Sequence, residues 1–275
     1  MLLARLLVWG AIVLAGGAWA GTDTATAESL MRTSGIWEQL QDVAPQVRAG
    51  MLADIARGHR KPSETELGRL SRTVDAAYSA ARLRSKCLAA IAKNLDRAQV
   101  GALRRWFDGP TGRAITRLEE ALSKQADPRA TLQQGVELLQ QMPASRRRAL
   151  QDVVLATSGA ELMAELAISS ALATEQGVAS VSPNAARASP AELKAALEAR
   201  RPQLIRHFSN VQLASSAVAY SSLTTSEIAR YTDFLKSEAG RHFNSVVMRA
   251  FSAAMLEAAT EFGRALPGSR DKAHT

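Results

Sequence analysis

Apolar residues recur at spacings of three and four along almost the whole chain, which is the period of an amphipathic α-helix. β-Branched residues occur singly or in pairs, and the two-residue alternation of a half-buried strand is not sustained anywhere. Alanine, leucine and arginine are the commonest residues, and these three, like the glutamates and glutamines, favour helices. The pattern therefore predicts an all-α protein.

Glycine, proline and capping residues divide this pattern into helices. Pro45 lies inside an apolar stripe over residues 36–55 and should kink or split that helix. Pro202 should kink a second long helix in the same way. The predicted helices are residues 25–34, 36–55, 63–94, 96–108, a helix from 110, a helix from 128, a helix from 143, a helix through 162–172, then 190–222, a helix from 224, and 238–262, with a break at 58–62 and a loop at 180–190.

Three landmarks occur twice in the chain, in the same order. Two of them are capping boxes, in which a cap residue and the residue three positions later satisfy each other's backbone N–H groups. The offset between the two copies increases only slightly from each landmark to the next. The landmarks are the Thr-Ser-Gly turns at 33–35 and 157–159, the capping boxes at Ser63 and Ser189, and the capping boxes at Asp96 and Thr224.

These landmarks predict an internal duplication, because helical periodicity alone does not set the positions of caps. We predict a first helical unit at residues 21–127, a connecting helix at 128–144 and a second helical unit at 145–264, packed as a multi-helix bundle or array. Residues 265–275 are predicted to be a disordered tail. Chance agreement between amphipathic helices is the alternative explanation.

The most distinctive repeated stretch lies at residues 95–115 and again at 223–243. Each copy has a capped helix, a one-residue break, and a second helix with a glycine in its first turn, Gly112 or Gly240. Glycine in a helix costs up to about 1 kcal/mol relative to alanine. We therefore predict that both glycines allow close approach to another helix, whereas a bound ligand would bring convergent polar groups with it.

The second copy carries a family resemblance in the segments Leu223–Ile228 and Phe234–Arg241. Their pattern, L-[ST]-x-x-E-[IL] followed by an aromatic pair and S-x-x-G-[RK], resembles the signature of domain of unknown function 2059, a family of bacterial exported helical proteins. The family's usual proline is replaced here by Glu238, and the first copy has Pro110 but carries Gly109 in place of the serine. The resemblance implies an all-helical envelope protein and implies no activity.

The N-terminal stretch, residues 1–20, has the composition of a secretory signal peptide. A basic start with Arg5 precedes an apolar core that is too short to span a bilayer comfortably, and Ala18-Trp19-Ala20 is a small-x-small cleavage site. We expect cleavage between Ala20 and Gly21 and a periplasmic location, with an uncleaved N-terminal anchor as the alternative. No later apolar run approaches a membrane span, so no transmembrane segment is expected after cleavage.

The chain carries a formal net charge of +8. A basic exported protein can meet anionic phospholipid, lipopolysaccharide or acidic glycans, although the same charge also serves solubility. Three arginines, residues 146–148, lie at a predicted helix N-terminus, where they oppose the helix dipole. We interpret them as a solvated first turn, and because no structural role for them is evident from the sequence, they also point to an anionic partner.

Residues with catalytic or metal-binding chemistry are sparse. The chain has no HExxH, CxxC, P-loop, GxSxG or dinucleotide-binding glycine pattern. The one cysteine, Cys87, lies in an apolar run and is predicted to be a buried hydrophobic residue. Glu119 and Glu120 are interpreted as an ordinary charged helix face. We predict no catalytic, cofactor or metal site.

The four histidines, His59, His207, His242 and His274, are scattered along the chain. Glu238 lies four residues before His242, but two ligands do not make a metal site, so an i,i+4 surface pair is expected.

The sequence therefore predicts an exported all-helical protein that binds or scaffolds and is not an enzyme. Its expected partner is an envelope protein or an anionic envelope component, and nucleic acid is not expected. Two alternatives stay open, namely a carrier of an apolar ligand such as a lipid, and an uncharacterised enzyme.

Overall fold

The structure is a computed structural model that describes residues 21–57, 63–125, 127–181 and 189–266. Within these ranges every regular element is helical, which confirms the predicted all-α class. The predicted signal peptide, the break at 58–62, most of the loop at 180–190 and the tail from 267 lie outside the described residues.

The first half of the chain, residues 21–125, forms seven α-helices within its described part. Pro45 falls in the first turn of the third helix, where its missing N–H has no intrahelical partner to lose, and a 3₁₀ turn splits the predicted helix just before it. The elements are α1 (Thr24–Thr33), α2 (Ile36–Gln39), a 3₁₀ turn (Leu40–Asp42), α3 (Val43–Arg57), α4 (Glu64–Ala77), α5 (Ala80–Asn94), α6 (Arg97–Phe107) and α7 (Pro110–Ser123).

The prediction of one long helix over residues 63–94 is wrong. The helix stops at Tyr78, and Ser79 has an extended backbone with ψ 137°. This break buries Tyr78, whose ring centroid lies 6.3 Å from that of Phe262 near the far end of the chain. The helix therefore breaks where Tyr78 makes a tertiary contact, and no glycine, proline or other local signal in the sequence indicates this break.

The second half of the chain, residues 127–266, also contains seven described α-helices. The predicted helix over 190–222 is interrupted at Arg200, so that Pro202 lies in the first turn of a new helix. The elements are α8 (Pro128–Gln141), α9 (Ala144–Ala156), α10 (Gly159–Val181), α11 (Pro190–Ala199), α12 (Arg201–Ala219), α13 (Thr225–Lys236) and α14 (Glu238–Ala265).

The predicted capping boxes are all confirmed, with both reciprocal hydrogen bonds present in each. The Thr-Ser-Gly turns differ. Gly35 has the left-handed conformation in the first turn (φ 77°), whereas Ser158 has it in the second (φ 43°) and Gly159 begins α10. The two turns are therefore displaced by one residue, and this landmark does not match in structure.

Gly112 and Gly240 sit at matching helix corners, as predicted. A Cβ on Gly112 would overlap the carbonyl oxygen of Trp106, and a Cβ on Gly240 would overlap that of Phe234, both at separations that real Cβ atoms do not show. Each glycine therefore lets its helix turn tightly against the preceding helix. Ser237 caps α14 by accepting a hydrogen bond from the Gly240 N–H at 3.1 Å.

Buried apolar side chains form two cores. The first core combines α1 to α6 with the last helix, α14, and with residues from the start of α10. The second core combines α9, α12 and α13 with α7 from the first half. The last helix of each half thus lies in the core formed mainly by the other half.

The aromatic rings of Trp106 and Phe234 lie between the two cores and contact both. They stack with their centroids 4.4 Å apart and their planes 6° from parallel. Trp106 and Phe234 hold the same position in the two repeated stretches. Equivalent residues therefore meet where the halves join.

The helices α10 and α14 make the most extensive helix contact of the described residues. A Cβ on Gly177 would overlap the Thr260 carbonyl oxygen, and a Cβ on Gly263 would overlap the Thr174 carbonyl oxygen. Each glycine belongs to a Thr-Glu-x-Gly segment, so the two helices present the same local pattern to each other. The backbones touch at this crossing.

Candidate functional site

An open cleft of about 350 Å³ lies between α4, the start of α5 and the end of α14. We call it the arginine groove, because three guanidinium side chains line it. Its lining residues are Arg69, Arg72, Thr73, Ala76, Ala77, Arg82, Glu261 and Ala265. The groove is therefore lined by small apolar side chains, and cationic side chains surround them.

One of the three arginines is neutralised by acids on α14. The Arg82 guanidinium donates to Glu261 at 2.7 Å and to Glu257 at 3.3 Å. The hydrogen bond from Arg82 lowers the pKa of Glu261, and the hydrogen bond from Lys86 lowers the pKa of Glu257. Both carboxylates therefore stay charged at neutral pH and form ion pairs with Arg82 and Lys86.

The other two arginines project from an exposed face of α4, one helical turn apart. In the described part of the chain, no carboxylate pairs with Arg69 or Arg72. The nearby Asp75 pairs instead with Arg48 at 2.7 Å. The groove therefore carries excess positive charge.

This arrangement suits the recognition of an anion. Guanidinium groups present planar forks of N–H donors that match phosphate and carboxylate oxygens. The alanine side chains beside them offer a small apolar contact. Among the described lining residues, Glu261 is the one acid, and it is held in the ion pair with Arg82.

A second candidate is a small cavity between α7, α9 and α12, with several polar side chains in its lining. The Glu119 carboxylate accepts hydrogen bonds from the Tyr220 hydroxyl at 2.6 Å and from the Tyr231 hydroxyl at 3.2 Å. Both tyrosines are buried, and their rings meet edge to face at 5.9 Å. The interpretation of Glu119 as part of an ordinary charged face is therefore wrong, because α7 packs into the second core and carries Glu119 with it.

The cavity beside Glu119 has a volume of about 30 Å³. It is lined by the buried Ser215, whose hydroxyl has no hydrogen-bond partner within the described ranges, and by Gln212 and Thr157. A space of this size with polar groups in its lining has room for about one water molecule. Pockets for small organic ligands usually measure roughly 300–1,000 Å³, so this cavity does not hold a lipid.

The arginine run at residues 146–148 has a structural role that the sequence did not reveal. Arg146 donates to the carbonyl oxygens of Leu223 at 2.6 Å, Tyr220 at 2.7 Å and Ser221 at 3.2 Å. These carbonyls follow the C-terminus of α12, where the helix dipole favours a cation. Arg147 donates to the Met142 carbonyl oxygen at 3.2 Å. The run therefore no longer indicates an anionic partner.

Replacing Arg146 with alanine should destabilise the fold, because three carbonyl groups lose a charged donor. We expect the free energy of unfolding to fall by about 1.5–3 kcal/mol in denaturant titrations. The exposed Arg148 is the matched control, and Arg148→Ala should change stability by less than about 0.5 kcal/mol. Equal effects of the two substitutions would exclude this role for Arg146.

The structure separates the histidines and acids that the sequence singled out. The Nε2 atom of His242 lies 2.7 Å from the Asn94 carbonyl oxygen at the end of α5, and Glu238 is exposed. His207 is exposed beside Phe208, at 5.4 Å between ring centroids. His59 and His274 lie outside the described residues. Over the described ranges, no three residues among His, Cys, Asp and Glu are grouped as metal ligands.

Cys87 is fully buried, as predicted. Burial raises the pKa of its thiol to about 12, because the thiolate would lose its hydration. A thiol with this pKa is protonated at neutral pH and is not a nucleophile.

No single helix in the described ranges is long and apolar enough to cross a membrane. The helices α9 and α10 taken together have the length and apolar composition of a membrane span, although they meet at a 45° bend.

Sequence reasoning missed Arg69, Arg72 and Glu119. Each arginine has an acid three residues away on α4, Glu66 or Asp75, so the sequence alone favours pairing. In the structure Glu66 belongs to the capping box at Ser63, and Asp75 pairs with Arg48. Nothing local to Glu119 indicates its two tyrosine partners, which are 101 and 112 residues away.

Comparisons with known proteins found no matching family model, no matching curated protein and no matching solved structure. The resemblance of the helix corner to domain of unknown function 2059 therefore stays a prediction.

Proposed function

We propose that the protein is an exported, periplasmic binding protein, without enzymatic activity, whose arginine groove takes the phosphate group of an anionic envelope lipid. The observation that carries the proposal is the pair Arg69 and Arg72, which face an open cleft without a carboxylate partner in the described part of the chain. The signal-like stretch at residues 1–20 and the resemblance to an exported family support the location.

The surroundings of the two arginines favour an anion over a neutral ligand. Glu261 is the one acid among the described lining residues, and it is engaged by Arg82. A phosphate entering the groove would therefore meet the guanidinium groups of Arg69 and Arg72 and an acid whose charge is already balanced. The alanines beside them can contact the glycerol portion of a lipid headgroup.

Vesicle binding tests this proposal. We compare vesicles of phosphatidylcholine with vesicles that also contain phosphatidylglycerol, at low and high salt. Each arginine near an anionic membrane surface contributes about 1 kcal/mol, so the double variant Arg69→Ser, Arg72→Ser should bind about thirtyfold more weakly. The protein itself should bind only the anionic vesicles, and salt should weaken that binding.

The matched control is the double variant Arg104→Ser, Arg105→Ser, which removes the same charge from an exposed face of α6. It should bind nearly as well as the unchanged protein. Equal weakening in both double variants would show that net charge, and not the groove, attracts the vesicles. Equal binding to neutral vesicles would also overturn the proposal.

We also propose that the chain arose by duplication of a single helical unit. The order of helices supports this, since α4 to α7 and α11 to α14 follow the same sequence of caps and corners. A Cβ added at either corner glycine would overlap the carbonyl oxygen of the equivalent residue in its copy, Trp106 or Phe234. The long α10 has only the shorter α2 and α3 as a counterpart, so the two units have diverged there.

A further inference from the structure

Each half of the chain supplies its last helix to the core of the other half. The helix α14 packs on α10 of its own half and also on α4, α5 and α6 of the first half, and its central Phe251 is fully buried in the first core. Its residues in that core are Phe243, Val246, Val247, Met248, Phe251, Ala254, Met255, Ala258 and Phe262. Without α14, the first half would expose the apolar surface that these residues cover.

The second core depends on the first half in the same way. Ile115 and Leu122 of α7 are buried among residues of α9, α12 and α13. Glu119, which lies between them on α7, satisfies the hydroxyls of Tyr220 and Tyr231. Without α7, these two buried tyrosines would lose the acceptor that their hydroxyl groups share.

Polar contacts also link the halves around both cores. The Arg82 guanidinium in the first half binds Glu257 and Glu261 in the second. His242 in the second half lies against the Asn94 carbonyl oxygen, which ends α5 in the first. The surface between the halves is therefore apolar inside and polar at several points, as in obligate protein complexes.

We propose that residues 21–125 and 127–266 are obligate binding partners of each other, so that a chain cut between them stays assembled as a one-to-one complex and neither half folds alone. This inference goes beyond the proposed lipid binding and does not depend on it. The competing arrangement, two self-sufficient domains joined by a linker, would place α7 in the first core and α14 in a core of its own half. Instead α7 lies in the second core, and α14 lies in the first core, where it contacts α4, α5 and α6 as well as α10 of its own half.

The test uses the full chain with a protease site inserted after Gln125, between α7 and the cap of α8. The protein is folded, cleaved and passed through a size-exclusion column without denaturant. We expect both fragments to elute together at the volume of the uncut protein, with the helical circular dichroism unchanged. If this insertion disturbs folding, a second version in which Gly-Ser residues flank the protease site replaces it. The same protease site inserted after Leu266 is the control for the effect of cleavage itself.

The fragments are then separated in denaturant and refolded singly or mixed. The mixture should recover one cooperative unfolding transition and the original elution volume, whereas each fragment alone should not. Separate elution of two fragments that each unfold cooperatively would overturn the proposal. Cooperative refolding of either fragment alone would overturn the claim that it needs its partner.

Discussion

Replacing Gly263 with alanine is expected to destabilise the protein by about 3 kcal/mol or more, because the added methyl group has no space. Its Cβ would overlap the Thr174 carbonyl oxygen, which belongs to the backbone of α10 and cannot rotate away. The two helices must therefore move apart along their whole contact. Thermal unfolding should shift down by roughly 6–12 °C in a chain of this size.

Gly177→Ala should cause a similar loss, since its Cβ would overlap the Thr260 carbonyl oxygen in the reciprocal position. The double variant should lose less than the sum, because the helices have already separated after the first substitution. Gly50→Ala in α3 is the matched control, with open space around the added methyl. It should raise stability by up to about 1 kcal/mol. Additive losses, or equal effects at Gly50 and Gly263, would contradict this description of the crossing.

Gly240→Leu is expected to have the second large effect, for a different reason. Its Cβ would overlap the Phe234 carbonyl oxygen at the end of α13, so the corner between α13 and α14 must open. Opening the corner moves Phe234 away from Trp106, and the ring stack between the halves is lost. We expect the free energy of unfolding to fall by about 3 kcal/mol or more in urea titrations.

The control for Gly240 is Gly101→Ala in the middle of α6, where the nearest atom is the end of a flexible arginine side chain at 3.6 Å. That substitution should be neutral or mildly stabilising, because alanine favours helix more than glycine does. The equivalent substitution Gly112→Leu should resemble Gly240→Leu. An unchanged melting temperature for Gly240→Leu would remove the packing role assigned to this glycine.

Much of the helical architecture could be predicted, because helix periodicity and caps are local properties of the sequence. The capping boxes at Ser63 and Thr224 formed as expected, since both partners of each box lie within one helical turn. The break at Tyr78 could not be predicted, because it accompanies contact with the ring of Phe262, near the other end of the chain. Local pattern does not contain such contacts.

The packing of α7 in the second core and of α14 in the first core could not be predicted from the sequence either. Periodicity shows which face of a helix is apolar, but it does not show which helix covers that face. The crossing at Gly177 and Gly263 left a local trace in the two Thr-Glu-x-Gly segments, yet short matches of this kind are common in helical chains.

The candidate site shows the same division between local and tertiary information. The arginine run at 146–148 stood out in the sequence, and its first member serves backbone carbonyls of a distant turn. No sequence motif distinguishes Arg69 and Arg72, and yet they line the open cleft. Whether a surface arginine is engaged or free depends on neighbours that only the fold supplies.

The central functional claim is that the arginine groove meets an anionic lipid, and photocrosslinking in the intact cell envelope tests it most directly. A photoreactive residue replaces the exposed groove residue Ala76, and a control replaces the exposed Ala98 on α6. We expect Ala76, and not Ala98, to yield an adduct whose added mass is that of an anionic phospholipid. A protein adduct alone at Ala76, or the same lipid adduct at both positions, would contradict the claim.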